Sequence, residues 1–226
     1  MNNNKIKAKA IIFDLWGTVA LGEEATHLFE RIQQRLGLNE LTVQEFTDGL
    51  EKSIMTQKFE TEKEMMKAVC DYFSIIPADI TVNDLILLIR RNDNLSKPYD
   101  DAAKIIQELD FKSKIGLISN TTCFGPKKLL QKFSLDKYFK GKVFSFEVGL
   151  LKPNPKIFKL ALNRLDSSPK ETVMIGDSLK KDIIPAKNLG MKTILVDRNK
   201  KYTQTKEADA IINSLNELNS VLEKEK

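Results

Sequence analysis

The chain has 226 residues, 42% hydrophobic and 30% charged, with 36 basic residues against 31 acidic ones for a net charge of +5. A chain this long buries roughly 70–75% of its unfolded surface, enough for a full core, and no apolar run reaches the roughly 18 residues that a membrane span requires. The basic residues are interleaved with acidic ones along most of the chain, the pattern of a solvated surface, and the densest basic cluster, Arg198-Asn199-Lys200-Lys201, lacks interleaved aromatics beyond Tyr202, so no nucleic-acid partner is expected.

In chain order, the amino terminus lacks the apolar core and small-residue cleavage site of a secretion signal. Cys70 and Cys123 are far apart and without metal-type spacing, so a cytoplasmic location is expected. A short apolar run over residues 10–14 predicts a first β-strand ending on Asp14. From about residue 23 to 95 the strand pattern disappears and four amphipathic stripes follow one another. They are Leu28, Ile32 and Leu36; Val43, Phe46, Leu50 and Ile54; Met65, Val69, Tyr72, Phe73 and Ile76; and Val82, Leu85, Ile86 and Ile89. Their methionines read as packing, and the stripes together as a small inserted helical bundle.

Strand-type runs resume at 115–119, 143–146, 172–176, 193–196 and 210–212, several nearly all apolar, as in a parallel sheet covered on both faces. Asn154-Pro155 supplies an N-cap and a first-turn proline for a helix to about residue 165. A further helix is expected from Asp182, as its N-cap, to Gly190, with Pro185 in the first turn, and Ser214…Glu217 has capping-box spacing for the last one. The fold class expected is α/β: a doubly wound parallel sheet (Rossmann-like core) over 1–20 and 97–226, with an inserted four-helix cap domain over 21–96.

Ligands of open parallel sheets bind outside the carboxyl ends of the strands. There the sequence places Asp14 after the first strand, Ser119-Asn120-Thr121 after the second, Lys152 after the third, and Asp177-Ser178 with Asp182 after the fourth. Two carboxylates about 4 Å apart repel by about 4 kcal/mol at an effective dielectric near 20. A hard divalent cation relieves that repulsion, and all-oxygen ligation suits Mg²⁺. With the lysine, the cation would neutralise a phosphoryl group, which a carboxylate can attack.

Four segments carry a family resemblance: FDLWGTV (13–19), LISNT (117–121), GLLKPNPKIF (149–158) and IGDSLKKDIIPAKNLGMKTILVD (175–197). In these the chain resembles the haloacid dehalogenase-like hydrolase superfamily along essentially its whole length, including a helical cap after the first motif. The resemblance implies that Asp14 is a nucleophile forming a covalent aspartyl intermediate. It implies that Ser119, with the Asn120 backbone, binds the transferring group, that Lys152 orients Asp14 and offsets charge, and that Thr18 braces the loop. Mg²⁺ would be held by Asp14, Asp177 and the main-chain carbonyl of Trp16, with Asp182 in support, and the substrate would be a small phosphate ester.

One position departs from the family's pattern. Phosphatases of the superfamily usually carry a second aspartate two residues after the nucleophile, as acid for the leaving group and base for water, and here that residue is Trp16. A general acid/base contributes about 10²–10⁴-fold in rate, and indole, with one N–H donor and no acceptor, cannot exchange a proton in that role. Three readings follow: a Mg²⁺-dependent phosphatase whose acid/base comes from elsewhere, with Glu23, Glu24 and His27 as candidates; a 2-haloacid dehalogenase, which shares the aromatic residue but lacks the Gly-Asp-Ser motif kept here as Gly176-Asp177-Ser178; or a weakly catalytic or non-catalytic binding module. Arg90 and Arg91 are candidate anion contacts from the cap.

Overall fold

The computed structural model describes residues 5–22, 25–76, 78–110 and 113–223. Its centre is β1 (Ala10–Asp14), buried along its whole length. Strand residues alternate between faces, and the strand buries both. Ile11 and Phe13 enter one apolar cluster and Ala10 and Ile12 another. The same alternation holds in β4 (Lys114–Ser119) and β6 (Thr172–Gly176), where Ile115, Leu117, Val173 and Ile175 face the first cluster and Ile118 and Met174 the second. Helix α5 (Ala102–Asp110) covers the first face with Ile105, Ile106 and Leu109. Helix α8 (Pro155–Arg164) covers the second with Ile157, Phe158, Ala161 and Leu162.

With β5 (Gly141–Phe144), β7 (Lys192–Val196) and β8 (Ala210–Ile212), the strands form one parallel sheet in the order β5-β4-β1-β6-β7-β8. The doubly wound α/β fold is therefore as expected. Strand β1 lies between β4 and β6, so the chain winds away from it in both directions, and the crevice opens at the carboxyl ends of these three strands.

Chain exit and return occur at a short antiparallel pair, β2 (Ala20–Leu21) with β3 (Lys97–Pro98). Between them lie α1 (Ala25–Arg35), α2 (Val43–Ile54), α3 (Glu62–Tyr72) and α4 (Asp79–Leu95), which share their own apolar cluster. Helix α2 starts with a complete capping box between Thr42 and Glu45. Three stripe positions stay outside the cluster. Val43 is in the first turn of α2 and 45% exposed, Tyr72 is 48% exposed, and Ile76, beyond the end of α3, is 99% exposed. No described helix is long and apolar enough to cross a membrane.

Two expected elements are corrected. The run 143–146 is strand only to Phe144, because the ladder with β4 ends at the Ser119 pair. Ser145 opens a short helix, α7 (Ser145–Val148), and its hydroxyl accepts from the Thr121 amide at 2.9 Å. The helix expected to start at Asp182 is instead a wide turn, Leu179–Ile183, capped by Ser178, whose hydroxyl accepts from the Lys181 amide at 3.1 Å, followed by α9 (Ile184–Asn188); α6 (Gly125–Lys132) lies between β4 and β5. Asp182 is no N-cap, since both of its carboxylate oxygens are engaged by the site described next.

Candidate active site

Asp14, at the carboxyl end of β1, is 4% exposed. The Lys152 ammonium lies 2.5 Å from Asp14 Oδ1 and 2.5 Å from Asp182 Oδ1. Lys152 and Asp182 are themselves buried, and Asp182 Oδ2 accepts from the Ser178 amide at 3.0 Å. Asp177 completes the group on the open side: Asp14, Asp177 and Asp182 each offer a carboxylate oxygen, all within 4.8 Å of one another. Two glycines allow this crowding. A Cβ on Gly17, whose φ is +84°, would lie 2.2 Å from Asp177 Oδ2, and one on Gly176 would lie 2.5 Å from Asp182 Cγ. Any side chain there would displace a carboxylate.

The electrostatics follow from burial and proximity. Burial pushes the Asp14 carboxyl well above the ordinary carboxylate range; Lys152 pulls it back, while Asp182 and Asp177 push it up again. Burial and then Asp182 raise Asp177 to about 6, with Lys152 opposing. Burial alone would lower Lys152, but Asp14 and Asp182 outweigh it and raise its pKa, so the ammonium stays charged. One lysine thus faces three carboxylates. The charge deficit and the all-oxygen donor set are what a hard divalent cation such as Mg²⁺ would satisfy.

Ser119 is fully buried at the end of β4, and its hydroxyl makes a long contact, 3.4 Å, to the Asn120 carbonyl. Asn120 ties the lysine segment to β4, its Oδ1 accepting from the Lys152 amide at 2.8 Å and its Nδ2 donating to the Lys152 carbonyl at 3.1 Å. Trp16 Nε1 donates to Thr121 Oγ1 at 3.1 Å.

Thr18 does not brace the loop with its hydroxyl, which is buried with no hydrogen-bond partner among the described residues. Backbone bonds do so, from Val19 and Ala20 to the Leu15 carbonyl at 2.9 and 2.8 Å. Arg198 adds a third tie, donating from Nη2 to the Thr18 carbonyl at 2.8 Å while its guanidinium pairs with both Asp101 oxygens and lies 3.5 Å over the Tyr99 ring. The first member of the basic cluster is therefore a part-buried brace rather than a solvated charge.

A cavity of about 460 Å³ adjoins the group at Asp177, the one member of it in the lining, with Trp16, Gly17 and Asn120 beside Asp177 and residues of helices α1, α2 and α4 completing the wall. Arg90 and Arg91 do not line it. Arg90 pairs instead with Glu62 of α3. Glu23 and Glu24 lie outside the described residues, as does the side chain of His27.

Glu51 of α2 is the residue that sequence reasoning missed. It is 9% exposed and lines the cavity. Its Oε1 pairs with Lys181 at 2.7 Å, and its Oε2 accepts from Asn120 Nδ2 at 3.2 Å. No local pattern marked it, since its partners lie 69 and 130 residues away along the chain. Glu51→Ala leaves both partners short of a charge-assisted bond, costing about 2 kcal/mol, or roughly 4–8 °C in Tm. A calorimetric scan that shows no loss would mean that this bridge does not hold the helical unit to the sheet.

A second contact between the two units titrates. Burial raises Asp93 of α4 to about 6, with Lys128 opposing and Glu62 adding to the rise. The folded chain therefore binds this proton more tightly than the unfolded chain, whose carboxyl keeps its ordinary value of 3.8, so stability contributed here falls as pH rises from about 4 through about 6. Asp93→Asn is expected to raise Tm at pH 8, by about 1–2 kcal/mol of stability, and to have no such effect at pH 4. Equal shifts at both pH values would contradict this.

The profile of the haloacid dehalogenase-like hydrolase family matches residues 8–190. The chain belongs to that family. It is 31% identical over 220 residues to the glyceraldehyde 3-phosphate phosphatase of Methanocaldococcus jannaschii, covering 93% of this chain and 95% of that one. It is 26% identical over 229 residues to the pyrophosphatase PpaX of Bacillus mycoides, covering 96% and 98%. Among solved structures it is similar to a HAD phosphatase from Thermococcus onnurineus, with a TM-score of 0.63, 26% identity, and 96% of this chain and 97% of that one covered. Within this haloacid dehalogenase-like hydrolase, Arg198 and its loop lie beyond the matched segment.

Proposed function

We propose that the protein is a Mg²⁺-dependent phosphatase of small phosphate esters that works through a phosphoryl group carried on Asp14. The observation that carries this reading is the Lys152 ammonium held between the Asp14 and Asp182 carboxylates with Asp177 opposite. Asp14, Asp177 and the Trp16 carbonyl would hold the ion, Asp182 would support them, and the bound ion would offset charge on the phosphoryl oxygens. An Asp14 oxygen attacks phosphorus and the ester P–O bond breaks, its electron pair leaving with the alcohol oxygen, which takes up a proton. Water then attacks phosphorus, the bond to Asp14 breaks, and inorganic phosphate leaves. Lys152 orients the Asp14 carboxylate for attack and opposes the rise in its pKa that burial causes, it offsets the negative charge on the phosphorylated site in the second step, and Ser119 and the Asn120 amide bind the phosphoryl oxygens. Residues 21–96 act as a cap that closes over the cavity and excludes water.

Trp16 supplies no proton to the departing alcohol, because its indole N–H cannot exchange a proton in that role and is already directed at Thr121. Trp16→Asp is therefore expected to raise turnover at least about 10-fold, toward the range of a positioned acid/base. No gain, with Mg²⁺ binding kept, would mean that the missing carboxylate is not limiting. The dehalogenase reading is less favoured, because halide leaves without a metal and the three-carboxylate group would serve no purpose. A phosphate-ester panel with and without Mg²⁺, beside halide release from 2-chloropropionate, tests the two: ester turnover that needs Mg²⁺ supports the proposal, and metal-independent halide release overturns it.

A further inference from the structure

The cavity wall and its charges bear on which alcohol the phosphate is attached to, an inference that rests on the phosphatase reading. Beside Asp177 the wall is built largely from apolar and aromatic side chains: Trp16 and Leu21 from the loop after β1, Phe29, Met55 and Ile89 from the helical unit, and Tyr99. At about 460 Å³ the space is in the range that encloses a drug-sized ligand, well beyond a three-carbon sugar phosphate. Its charges point the same way. Besides Asp177, the lining carries Glu51, Asp93 and Asp197, against two cations, Arg198 and Lys201, among the described residues. Arg198 is already taken by Asp101 and the Thr18 carbonyl, and Lys201 stands at the exposed rim. Glu51 is held by Lys181, and Asp93 faces the cavity from α4. A second anionic group on the substrate would find one rim lysine and two or more carboxylates, an arrangement that disfavours it.

We propose that the cavity takes the phosphate monoester of a neutral, largely apolar alcohol with a body of ring size, and discriminates against pyrophosphate and against small polar esters. The apolar wall gives the body its binding, and the acidic lining excludes a second anion.

The test compares benzyl phosphate, glycerol 3-phosphate and pyrophosphate on the Mg²⁺-loaded protein; the first two release alcohols of similar type, so leaving-group chemistry does not decide between them. The expected result is a kcat/KM for benzyl phosphate at least roughly 10-fold above either of the others, the scale set by burying one apolar ring, and a ratio reduced by Phe29→Ala. Equal or higher kcat/KM for pyrophosphate or glycerol 3-phosphate overturns the proposal. Calorimetric titration of Mg²⁺-loaded Asp14→Asn keeps the two readings apart. If the wild type turns over no ester but the variant binds benzyl phosphate at least roughly 10-fold more tightly than inorganic phosphate, the phosphatase reading fails and the ligand class stands; if the variant binds the two equally, the ligand class falls.

Discussion

Asp14→Asn is expected to abolish turnover, lowering kcat by roughly 10⁴–10⁶-fold, as removal of a covalent nucleophile does. The change keeps the side-chain shape and a hydrogen-bond acceptor for Lys152, so the loss would not come from a collapsed site. Its effect on stability has the opposite sign to the usual cost of losing an ion pair. Burial and the two neighbouring carboxylates hold the Asp14 pKa above its ordinary value, so the metal-free fold retains a proton that the unfolded chain loses, and the contribution of this group to stability falls as pH rises from about 4 toward neutral. The Tm of the metal-free variant should therefore equal or exceed that of the wild type, and the stabilisation that Mg²⁺ gives the wild type should shrink. Turnover that survives the substitution would remove Asp14 from the chemistry; a large drop in Tm would show that the carboxylate is a structural ion-pair partner first.

The second large effect is expected at Lys152. Lys152→Met keeps the length of the side chain and removes the charge that lies 2.5 Å from both Asp14 and Asp182. Breaking a buried pair from one side costs about 3–5 kcal/mol, because the remaining charges stay buried and uncompensated. For a chain of this size that is roughly 6–20 °C in Tm, together with loss of turnover. Two recoveries distinguish this cause from a simple packing defect. Lower pH should restore part of the Tm by protonating the carboxylates, and Mg²⁺ should restore part of it by screening them. A variant as stable as the wild type at pH 8 without metal would mean that the three carboxylates are not ionised together.

What the sequence made legible followed from local rules. The strands were legible because strands covered on both faces are nearly all apolar, as the buried β1 and β6 are apart from Asp14 and Thr172. The convergence of Asp14, Lys152 and Asp177 was legible because each stands at the carboxyl end of a strand or in the loop after it, and the sheet topology does the rest. The start of α9 was misplaced because Asp182 has the side chain of an N-cap; only the fold shows that Lys152, thirty residues earlier, holds one of its oxygens and the Ser178 amide the other. Glu51 and Arg198 were hidden for the same reason. Their partners are 69 and 130 residues away in one case and 97 and 180 in the other, so no local pattern marks a surface-type residue as a buried bridge. Thr18 shows the reverse error: the loop it was expected to brace is held by backbone amides and Arg198 instead.

The most direct measurement is mass analysis of protein quenched in acid during turnover of a phosphate ester with Mg²⁺, followed by peptide mapping of the segment containing Asp14. Transfer to the carboxylate predicts one added phosphoryl group on that peptide in the wild type, enriched in Trp16-containing protein whose second step lacks a positioned base, and none in Asp14→Asn. Steady turnover with no phosphoryl group on that peptide at any quench time, or with one on a different residue, would contradict it.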